Sequence, residues 1–287
     1  MTVLKDEKLY YVGGVVRDEI LGIESFDTDL CYEGNAIEFA EKSELEIVRK
    51  NPDFGTVRVL INGKETDIAS TREETYPKAG HLPEVCNIGC SLDKDLKRRD
   101  FTINAIAKNT VTGEIFDYFE GQRDIKNKVL RVLHDRSFID DPTRIIRGLK
   151  FSVRFGFELD EHTKELQEIY LNSINSDMSY HRVKKELKET FNLNKGDAFD
   201  QFISQNIYKL LGKNELKYMI KGADIEELVN NSGINEPWII YAAMFDLSKL
   251  PLERREKTIL DWAERLKTEK ATNNTPQESV IIHSLTI

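Results

Sequence analysis

Apolar residues come in short runs in the first third of the chain, whereas the rest of the chain repeats them every three or four positions. Short apolar runs are typical of strands, and spacings of three and four are typical of amphipathic helices. Residues 9–12 predict a strand, and residues 15–21 predict a helix that Gly22 ends as a C-cap. The pattern therefore predicts an α+β fold, in which a small mixed sheet with flanking helices precedes an all-α region.

Two hairpins and a long helix are predicted in the remainder of the sheet region. Residues 56–61 and 65–69 flank an Asn-Gly pair, which favours the positive φ angles of a type I′ turn. A second hairpin is predicted over residues 111–118, and residues 93–108 predict one continuous helix. Residues 70–89 are rich in turn residues, so we expect a mobile loop there.

The second half of the chain predicts helix after helix, with no strand beyond residue 137. Trp238 and Trp262 lie at helical spacing among aliphatic residues, which favours core positions over an RNA-stacking surface. The predicted helices cover residues 160–171, 179–193, 198–211, 225–230, 237–247 and 252–267.

Composition limits the classes of protein that the chain can represent. The 287 residues include 41 Lys and Arg against 50 Asp and Glu, a net charge of −9. This charge argues against a protein that coats nucleic acid indiscriminately, because such binding depends on neutralising phosphates. The start of the chain is charged and no long apolar run follows, so we expect neither a signal peptide nor a membrane span. We therefore expect a cytoplasmic protein, and nothing in the sequence identifies a protein partner.

The stretch from Tyr10 to Leu30 carries the strongest chemical signal. Asp27 and Asp29 stand two apart in a predicted strand, so both side chains leave the same face of it. Two carboxylates in one space repel each other unless a cation lies between them. Mg²⁺ prefers carboxylate and phosphate oxygens, so both aspartates are candidate ligands for Mg²⁺ that carries a nucleoside triphosphate.

Gly13, Gly14 and Arg17 add a candidate phosphate site to this carboxylate pair. The two glycines lie where the predicted strand joins the predicted helix. A residue without Cβ lets a phosphate approach the backbone N–H groups at the positive end of a helix. Arg17 follows one turn later and can reach back to the same anion. A glycine pair alone is a weak signal, but its combination with Arg17 and the two aspartates is specific.

Three stretches, in this order along the chain, resemble a known family. They read G-G-V-V-R-D at 13–18 with D-T-D-L at 27–30, then R-R-D-F-T-I-N-A at 98–105, then D-D-P-T-R at 140–144 followed by Arg147. They resemble motifs of the tRNA nucleotidyltransferases and bacterial poly(A) polymerases of the DNA polymerase β superfamily. The resemblance implies a nucleotidyltransferase head over residues 1–125, a helical neck over residues 126–195 and a helical body over residues 196–287. Family members are commonly longer, so a full tail domain that grips the tRNA elbow is expected to be absent or reduced.

The resemblance also implies the residues of the site. Asp27 and Asp29 are expected to be catalytic and to hold two Mg²⁺ ions. Nucleotide binding is expected at Gly13, Gly14, Arg17, Arg99, Asn104, Asp141, Arg144, Arg147 and Lys150.

The chemistry of several of these side chains suits the expected ligand. Arg98 and Arg99 suit a triphosphate because guanidinium groups pair with phosphate oxygens. Asp100 and Asn104 suit ribose hydroxyls. Lys150 departs from the family, since many members carry arginine at this position, and lysine lacks the bidentate fork.

The helix predicted to begin at Asp141 is expected to select the base. Asp141 followed by proline is a good helix start, and this capping role is compatible with base recognition. Arg144 and Arg147 follow at steps of three residues, so the three side chains share one stripe. Arg144 can donate a hydrogen bond to the edge of cytosine or adenine, and Asp141 can accept one from the same edge. Uracil and guanine instead present an acceptor to Asp141 and a donor to Arg144, so neither hydrogen bond forms. CTP and ATP are thus expected to be selected without a nucleic-acid template.

Asp67 and the basic segment at residues 181–188 each leave two interpretations open. Asp67 is a third metal ligand or base, which the superfamily often takes from a neighbouring strand, or an edge-strand carboxylate that faces water. The segment HRVKKELK forms an RNA-binding groove or a solvated helix face.

The resemblance implies a template-independent enzyme that adds CCA, or part of it, to tRNA 3′ ends from CTP and ATP. Poly(A) polymerases, CC-adding enzymes and A-adding enzymes share these motifs and remain alternatives. A non-catalytic RNA-binding module on the same scaffold is a further alternative. The intact pair of carboxylates argues against it, because a binding module has no need for two repelling charges.

Overall fold

The computed structural model of the protein describes residues 4–25, 28–212, 220–232 and 236–261. The chain divides into two compact units. The first unit comprises Met1–Asp140 and Glu158–Lys164, and the second unit comprises Asp141–Phe157 and Glu165–Ile287. The sheet lies in the first unit and the described residues of the second unit are helical, so the predicted α+β class is confirmed. The division into a head, a neck and a body stays a prediction.

The strands of the first unit form a seven-stranded mixed sheet and two small two-stranded sheets. The strands are β1 (Leu9–Val12), β2 (Asp29–Tyr32), β3 (Glu46–Asn51), β4 (Thr56–Ile61), β5 (Lys64–Ser70), β6 (Arg72–Thr75), β7 (Glu84–Ile88), β8 (Ala107–Asn109), β9 (Ile115–Phe116), β10 (Val129–Leu130) and β11 (Glu158–Leu159). The large sheet has the order β3-β4-β5-β2-β1-β8-β9. Within it β2 and β5 run parallel, whereas the other neighbouring strands run antiparallel.

The helices are distributed over both units. They are α1 (Gly14–Leu21), α2 (Ala36–Lys42), α3 (Leu92–Lys97), α4 (Gly121–Asn127), α5 (Ser137–Asp140), α6 (Thr143–Phe155), α7 (Glu161–Asn172), α8 (Tyr180–Phe191), α9 (Gly196–Ser204), α10 (Gly222–Ser232) and α11 (Trp238–Ala242). Helices α1 to α5 belong to the first unit, and α6 and α8 to α11 belong to the second unit, while α7 begins in the first and continues in the second. Residues 254–261 are helical as well. Short 3₁₀ helices cover Pro52–Phe54, Thr102–Asn104 and Ile207–Leu211.

The two faces of the large sheet carry different cores, because side chains alternate along a strand. The first core is formed by Leu9, Leu30, Val57, Val59 and Ile68 with Ala36, Phe39 and Ala40 at α2. The second core is formed by Tyr10, Val12, Cys31, Ala105 and Ala107 with Leu92 and Leu96 of α3. Asp29 precedes Cys31 by two residues, so its side chain lies on the face of the sheet that α3 covers in part.

Several local predictions are confirmed. Asn62 and Gly63 have φ angles of 51° and 77°, as the type I′ turn between β4 and β5 requires. Gly13 has φ 69° where β1 joins α1, and Gly22 ends α1 in the left-handed conformation at φ 70°. Only glycine adopts these backbone angles without a steric cost, so the junction and the helix end are fixed by sequence.

The continuous helix expected over residues 93–108 is wrong. Helix α3 ends at Lys97, a 3₁₀ helix covers Thr102–Asn104, and β8 follows. The buried carboxylate of Asp100 accepts hydrogen bonds from the backbone N–H of Phe101 and from the Asn104 side chain. Such local side-chain bonds compete with helical hydrogen bonds, so the helix stops although its apolar spacing continues.

Three further expectations need correction. Residues 70–89 do not form one loop, because β6 and β7 pair there and the turn residues lie between them. The hairpin expected over residues 111–118 begins earlier, at β8, and ends at β9. A strand also occurs beyond residue 137, since β11 pairs in parallel with β10.

The second unit has its own aromatic core. Trp238 is fully buried, as predicted, while Trp262 lies outside the described residues. Phe191 stacks on Tyr241 with ring centroids 5.3 Å apart, and Phe202 packs edge-on against Phe191. No helix within the described ranges is both long and apolar enough to span a membrane.

Candidate functional site

Asp29 and Asp67 lie opposite each other in the parallel pair of strands β2 and β5. Cross-strand partners project from the same face of a sheet, so the two carboxylates share one space. Asp27, the other half of the predicted pair, lies outside the described residues. Within the described residues, no group of three or more His, Cys, Asp or Glu side chains has the arrangement of a metal site. Among the described residues, Asp67 is therefore the carboxylate that lies directly opposite Asp29.

The strand register continues this pair into a row of four side chains. Asp67 is opposite Arg58 of β4, and Arg58 is opposite Arg49 of β3. Arg58 forms a bidentate ion pair in which its Nε and Nη2 each donate to an Asp67 oxygen at 2.7 Å. Arg58 also donates to Glu65 at 3.3 Å. We name Asp29, Asp67, Arg58 and Arg49 the carboxylate–arginine row.

A cavity of about 370 Å³ lies over this row. All four residues of the carboxylate–arginine row line it, together with Val12 at the end of β1 and Arg99 after α3. The cavity therefore combines two carboxylates with three guanidinium groups, which suits a ligand that carries phosphates and a metal ion.

Gly13 and Gly14 form a close junction with two arginines. A Cβ atom on Gly13 would lie 3.0 Å from Nη1 of Arg99, and one on Gly14 would lie 3.5 Å from Nη2 of Arg17. The missing side chains therefore leave room for both guanidinium groups at the beginning of α1. This arrangement of glycines and arginines, which we name the glycine cradle, fits an anion at the positive end of the helix.

A buried network of polar side chains holds the glycine cradle. Arg17 donates from Nη1 to Oδ1 of Asn104 at 2.6 Å and from Nε to Oδ1 of Asp18 at 2.8 Å. Asn104 in turn donates to Oδ1 of Asp100 at 2.9 Å. All four residues are buried. Arg17 and Asn104, which the sequence assigns to phosphate and ribose, thus contact each other directly.

Arg99 and Arg98 differ in what they face. Arg99 lines the cavity and donates from Nη2 to Asp95 at 3.0 Å, and its buried Nε has no hydrogen-bond partner among the residues that the structure describes. Arg98 instead is held by two carboxylates, because it donates to Asp95 at 2.7 Å and to Glu74 at 3.0 Å. A buried donor that lacks a partner is costly unless a ligand satisfies it. Arg99 is therefore the better placed of the two for a phosphate.

Asp95, which the sequence analysis missed, organises both arginines. It is fully buried and stands three and four residues before Arg98 and Arg99, the helical spacing that brings side chains together. Burial alone raises the pKa of Asp95, but Arg99 and Arg98 beside it outweigh that effect and hold its pKa below the ordinary value. The carboxylate therefore stays ionised and stabilises the fold above that ordinary pKa.

We expect the Asp95→Asn variant to lose about 3 kcal/mol of unfolding free energy at pH 7, because two arginines lose their buried partner. The contribution of a carboxylate with a lowered pKa disappears as the pH falls, so the difference from the natural protein narrows below about pH 4. Urea denaturation of both proteins at pH 7 and pH 3.5 measures this gap. Asp93→Asn, an exposed position on the same helix, should change stability by less than about 0.5 kcal/mol. A gap that stays constant with pH would contradict the assigned role.

In the second unit, the carboxylate of Asp141 is already extensively bonded. Its Oδ1 accepts from the backbone N–H of Thr143 at 3.1 Å and from the Thr143 hydroxyl at 2.6 Å. Asp141 thus bonds to the first turn as predicted, although α6 begins at Thr143 and Pro142 occupies the N-cap position. Its Oδ2 accepts from Arg182 of α8 and lies 3.9 Å from Nε of Arg144. Asp141 and Arg144 are both buried. Their expected role in base selection stays a prediction.

Arg147 and Lys150 of α6 contact a buried carboxylate that the sequence analysis did not single out. Glu186 of α8 accepts from Arg147 at 3.3 Å and from Lys150 at 2.8 Å. Lys150 also donates to Glu189 at 2.5 Å. Arg182 and Glu186 are four residues apart, so a single face of α8 supplies partners to both Asp141 and Lys150.

The basic segment at residues 181–188 matches neither interpretation completely, because several of its cations form ion pairs inside the second unit. Lys184 donates to Glu256 at 2.5 Å, and Lys188 lies 2.9 Å from Glu236. Arg182 contacts Asp141 as described. These internal partners reduce the net positive charge that the segment offers to RNA.

The chain is similar in sequence and in fold to known proteins. The family model of the poly A polymerase head domain matches residues 9–131. An A-adding tRNA nucleotidyltransferase of Aquifex aeolicus is 45% identical over 175 residues, which are 58% of this chain and 20% of that relative. A CCA-adding enzyme of Staphylococcus saprophyticus is 34% identical over 214 residues, which are 73% of this chain and 51% of that relative. A solved tRNA-processing enzyme in apo form I is 30% identical with a TM-score of 0.65, over 88% of this chain and 68% of that chain.

The matched residues contain both the carboxylate–arginine row and the glycine cradle, so sequence similarity and site geometry agree. The chain belongs to the family of the poly A polymerase head domain and the tRNA nucleotidyltransferases. It spans about half or less of the length of these two curated relatives.

Proposed function

We propose that the protein is a template-independent nucleotidyltransferase that acts in the cytoplasm and adds CCA, or part of it, to tRNA 3′ ends from CTP and ATP. The observation that carries this proposal is the register of Asp29 with Asp67 in a cavity that Arg99 also lines. The relatives named A-adding and CCA-adding enzymes support the choice of tRNA as the acceptor.

The carboxylates at this site suit a divalent cation that prefers oxygen ligands, such as Mg²⁺. Asp29 presents an exposed carboxylate at the start of β2, beside Asp67, and carboxylate oxygens are the ligands that Mg²⁺ prefers. Asp27 and Asp29 would hold the ions. When bound, Mg²⁺ neutralises phosphate charge and makes the 3′-hydroxyl of the RNA a better nucleophile. Asp67 has both oxygens engaged by Arg58, which favours a supporting role for this third carboxylate.

The glycine cradle would receive the triphosphate. Arg99 offers its unpartnered Nε to a phosphate oxygen, and the N–H groups at the beginning of α1 provide further donors. Arg17 and Asn104 hold the shape of the cradle through their mutual hydrogen bond. In the reaction, the 3′-oxygen of the RNA bonds to the α-phosphorus, and the bond to the departing pyrophosphate breaks.

The base would be selected by Asp141 and Arg144. The Asp141 carboxylate is fixed by Thr143 and Arg182, and Nε of Arg144 lies 3.9 Å from it. A fixed acceptor beside a donor discriminates hydrogen-bond patterns without a template. Uracil and guanine would each face two mismatched groups, at a cost of about 1 to 3 kcal/mol per group.

Incubation of the purified protein with Mg²⁺ and tRNAs that lack one, two or three terminal nucleotides tests the proposal. CTP and ATP are supplied separately and together, and the products are resolved to one nucleotide. Completion of CCA is the expected result. No extension of any of the three tRNAs would refute the proposed function.

A second candidate is an enzyme that adds only the terminal A. The 45% identity to the Aquifex A-adding enzyme over 175 residues favours it. In the same assay, extension confined to tRNA that lacks only its last nucleotide, with ATP alone, would identify this activity.

A further inference from the structure

The carboxylate–arginine row runs from the centre of the large sheet to its edge. Asp29 lies on β2, Asp67 on β5, Arg58 on β4 and Arg49 on the edge strand β3. Neighbouring strands are about 4.8 Å apart, so Arg49 stands roughly 14 Å from Asp29 across three strand spacings. All four side chains leave the same face and line one cavity.

The direction of this row relative to the glycine cradle is the first step of the argument. Gly13 follows β1, which neighbours β2 on one side, whereas β5, β4 and β3 lie on the other side. Asp29 therefore lies between the cradle and the two row arginines. In an in-line displacement the attacking oxygen and the leaving group lie on opposite sides of the phosphorus. If the triphosphate binds in the glycine cradle, the attacking RNA strand must therefore approach Asp29 from the side of Arg58 and Arg49.

The charges along the row are the second step. Arg58 is held by Asp67 and Glu65, so its own charge is largely offset. Lys50 also lines the cavity, but its ammonium group binds Glu41 of α2 at 2.5 Å, so its charge is offset as well. Arg49 is exposed, and its guanidinium group makes no hydrogen bond or ion pair with the described residues. The cavity therefore ends in one uncompensated guanidinium at the sheet edge.

We propose that Arg49, with Arg58 beside it, binds the phosphate backbone of the RNA strand a few nucleotides upstream of the reacting 3′-hydroxyl. This inference rests on the proposed function and adds the path of the acceptor strand to it. A guanidinium group pairs phosphate oxygens in a bidentate manner, and it does so without reading the base. The row thus guides the strand toward Asp29 irrespective of sequence.

Kinetics of Arg49→Ala with separately varied RNA and nucleotide test this assignment. We expect the KM for tRNA to rise about fivefold, while kcat and the KM for the nucleotide change less than twofold. The slope of log KM for tRNA against log salt should decrease by about 0.7 to 1, the contribution of one phosphate contact. Arg49→Glu should raise the KM for tRNA further. An increase in the nucleotide KM instead, or an unchanged KM for tRNA, would overturn the proposal.

Lys126→Glu is the matched control, because it reverses an exposed charge on α4 outside the cavity. This variant should keep the KM for tRNA within twofold of the natural value, because the rise expected for Arg49→Ala comes from the position of Arg49 in the row and not from the net charge of the protein. Fluorescence anisotropy with labelled tRNA that lacks its terminal nucleotides separates the two levels of inference. If the natural protein binds but does not extend this tRNA, the proposed function fails. If Arg49→Ala binds it as tightly as the natural protein does, the strand path fails.

Discussion

Replacing Asp29 with asparagine is expected to lower kcat for nucleotide transfer by at least about a thousandfold, because the position loses the charge that would hold Mg²⁺. The isosteric amide keeps the size of the side chain. Asp29 is exposed at the first position of β2, so the fold should be unaffected. Single-turnover extension of truncated tRNA measures the rate, and circular dichroism during heating checks the fold.

The exposed carboxylate of Asp53 provides the comparison for this variant. Asp53 lies in the 3₁₀ helix before β4 and does not line the cavity, so Asp53→Asn should transfer nucleotides at the natural rate. Should Asp29→Asn retain more than a tenth of the natural activity, the reaction would have to occur elsewhere in the molecule.

The Asp141→Ala variant is expected to incorporate UTP and GTP about a hundredfold more readily relative to CTP and ATP. Removal of the acceptor abolishes its repulsion of a base carbonyl, which accounts for about 1 to 3 kcal/mol of discrimination. Incorporation of each of the four nucleotides, measured alone on the same tRNA, gives the ratio. Unchanged selectivity would contradict base recognition by Asp141.

The same substitution should also destabilise the second unit, because Arg182 and Arg144 lose a buried carboxylate partner. Glu256→Gln separates the two effects. Glu256 is buried and binds Lys184, so its loss lowers stability in the same unit without contact to Asp141. We expect this variant to keep the natural base preference at temperatures where it is folded.

Local sequence signals predicted the features that depend on backbone conformation. Gly13 and Gly22 adopt positive φ angles that other residues avoid, and Asn62 with Gly63 forms the predicted turn. The residue type itself determines the backbone conformation at these positions, so the local sequence is sufficient to predict them.

Signals that depend on distant partners were not visible in the sequence. The spacing of residues 93–108 predicted one helix, but Asp100 and Asn104 hold the chain in another path. Arg182 resembled one charge in a basic run, and only the packing of α8 on α6 shows that it binds Asp141. The pairing of Asp67 with Asp29 likewise follows from strand order, which periodicity does not encode.

The parallel pairing of β2 with β5 also bears on how the protein reaches its working form. Parallel strands need a long connection, and here that connection contains α2, β3 and β4. Contacts between residues far apart in sequence form slowly, because the loop between them must close first. The two acids are therefore expected to meet after the local hairpin of β4 and β5 has formed. We thus expect a nascent or refolding chain to complete the carboxylate–arginine row late in sheet assembly.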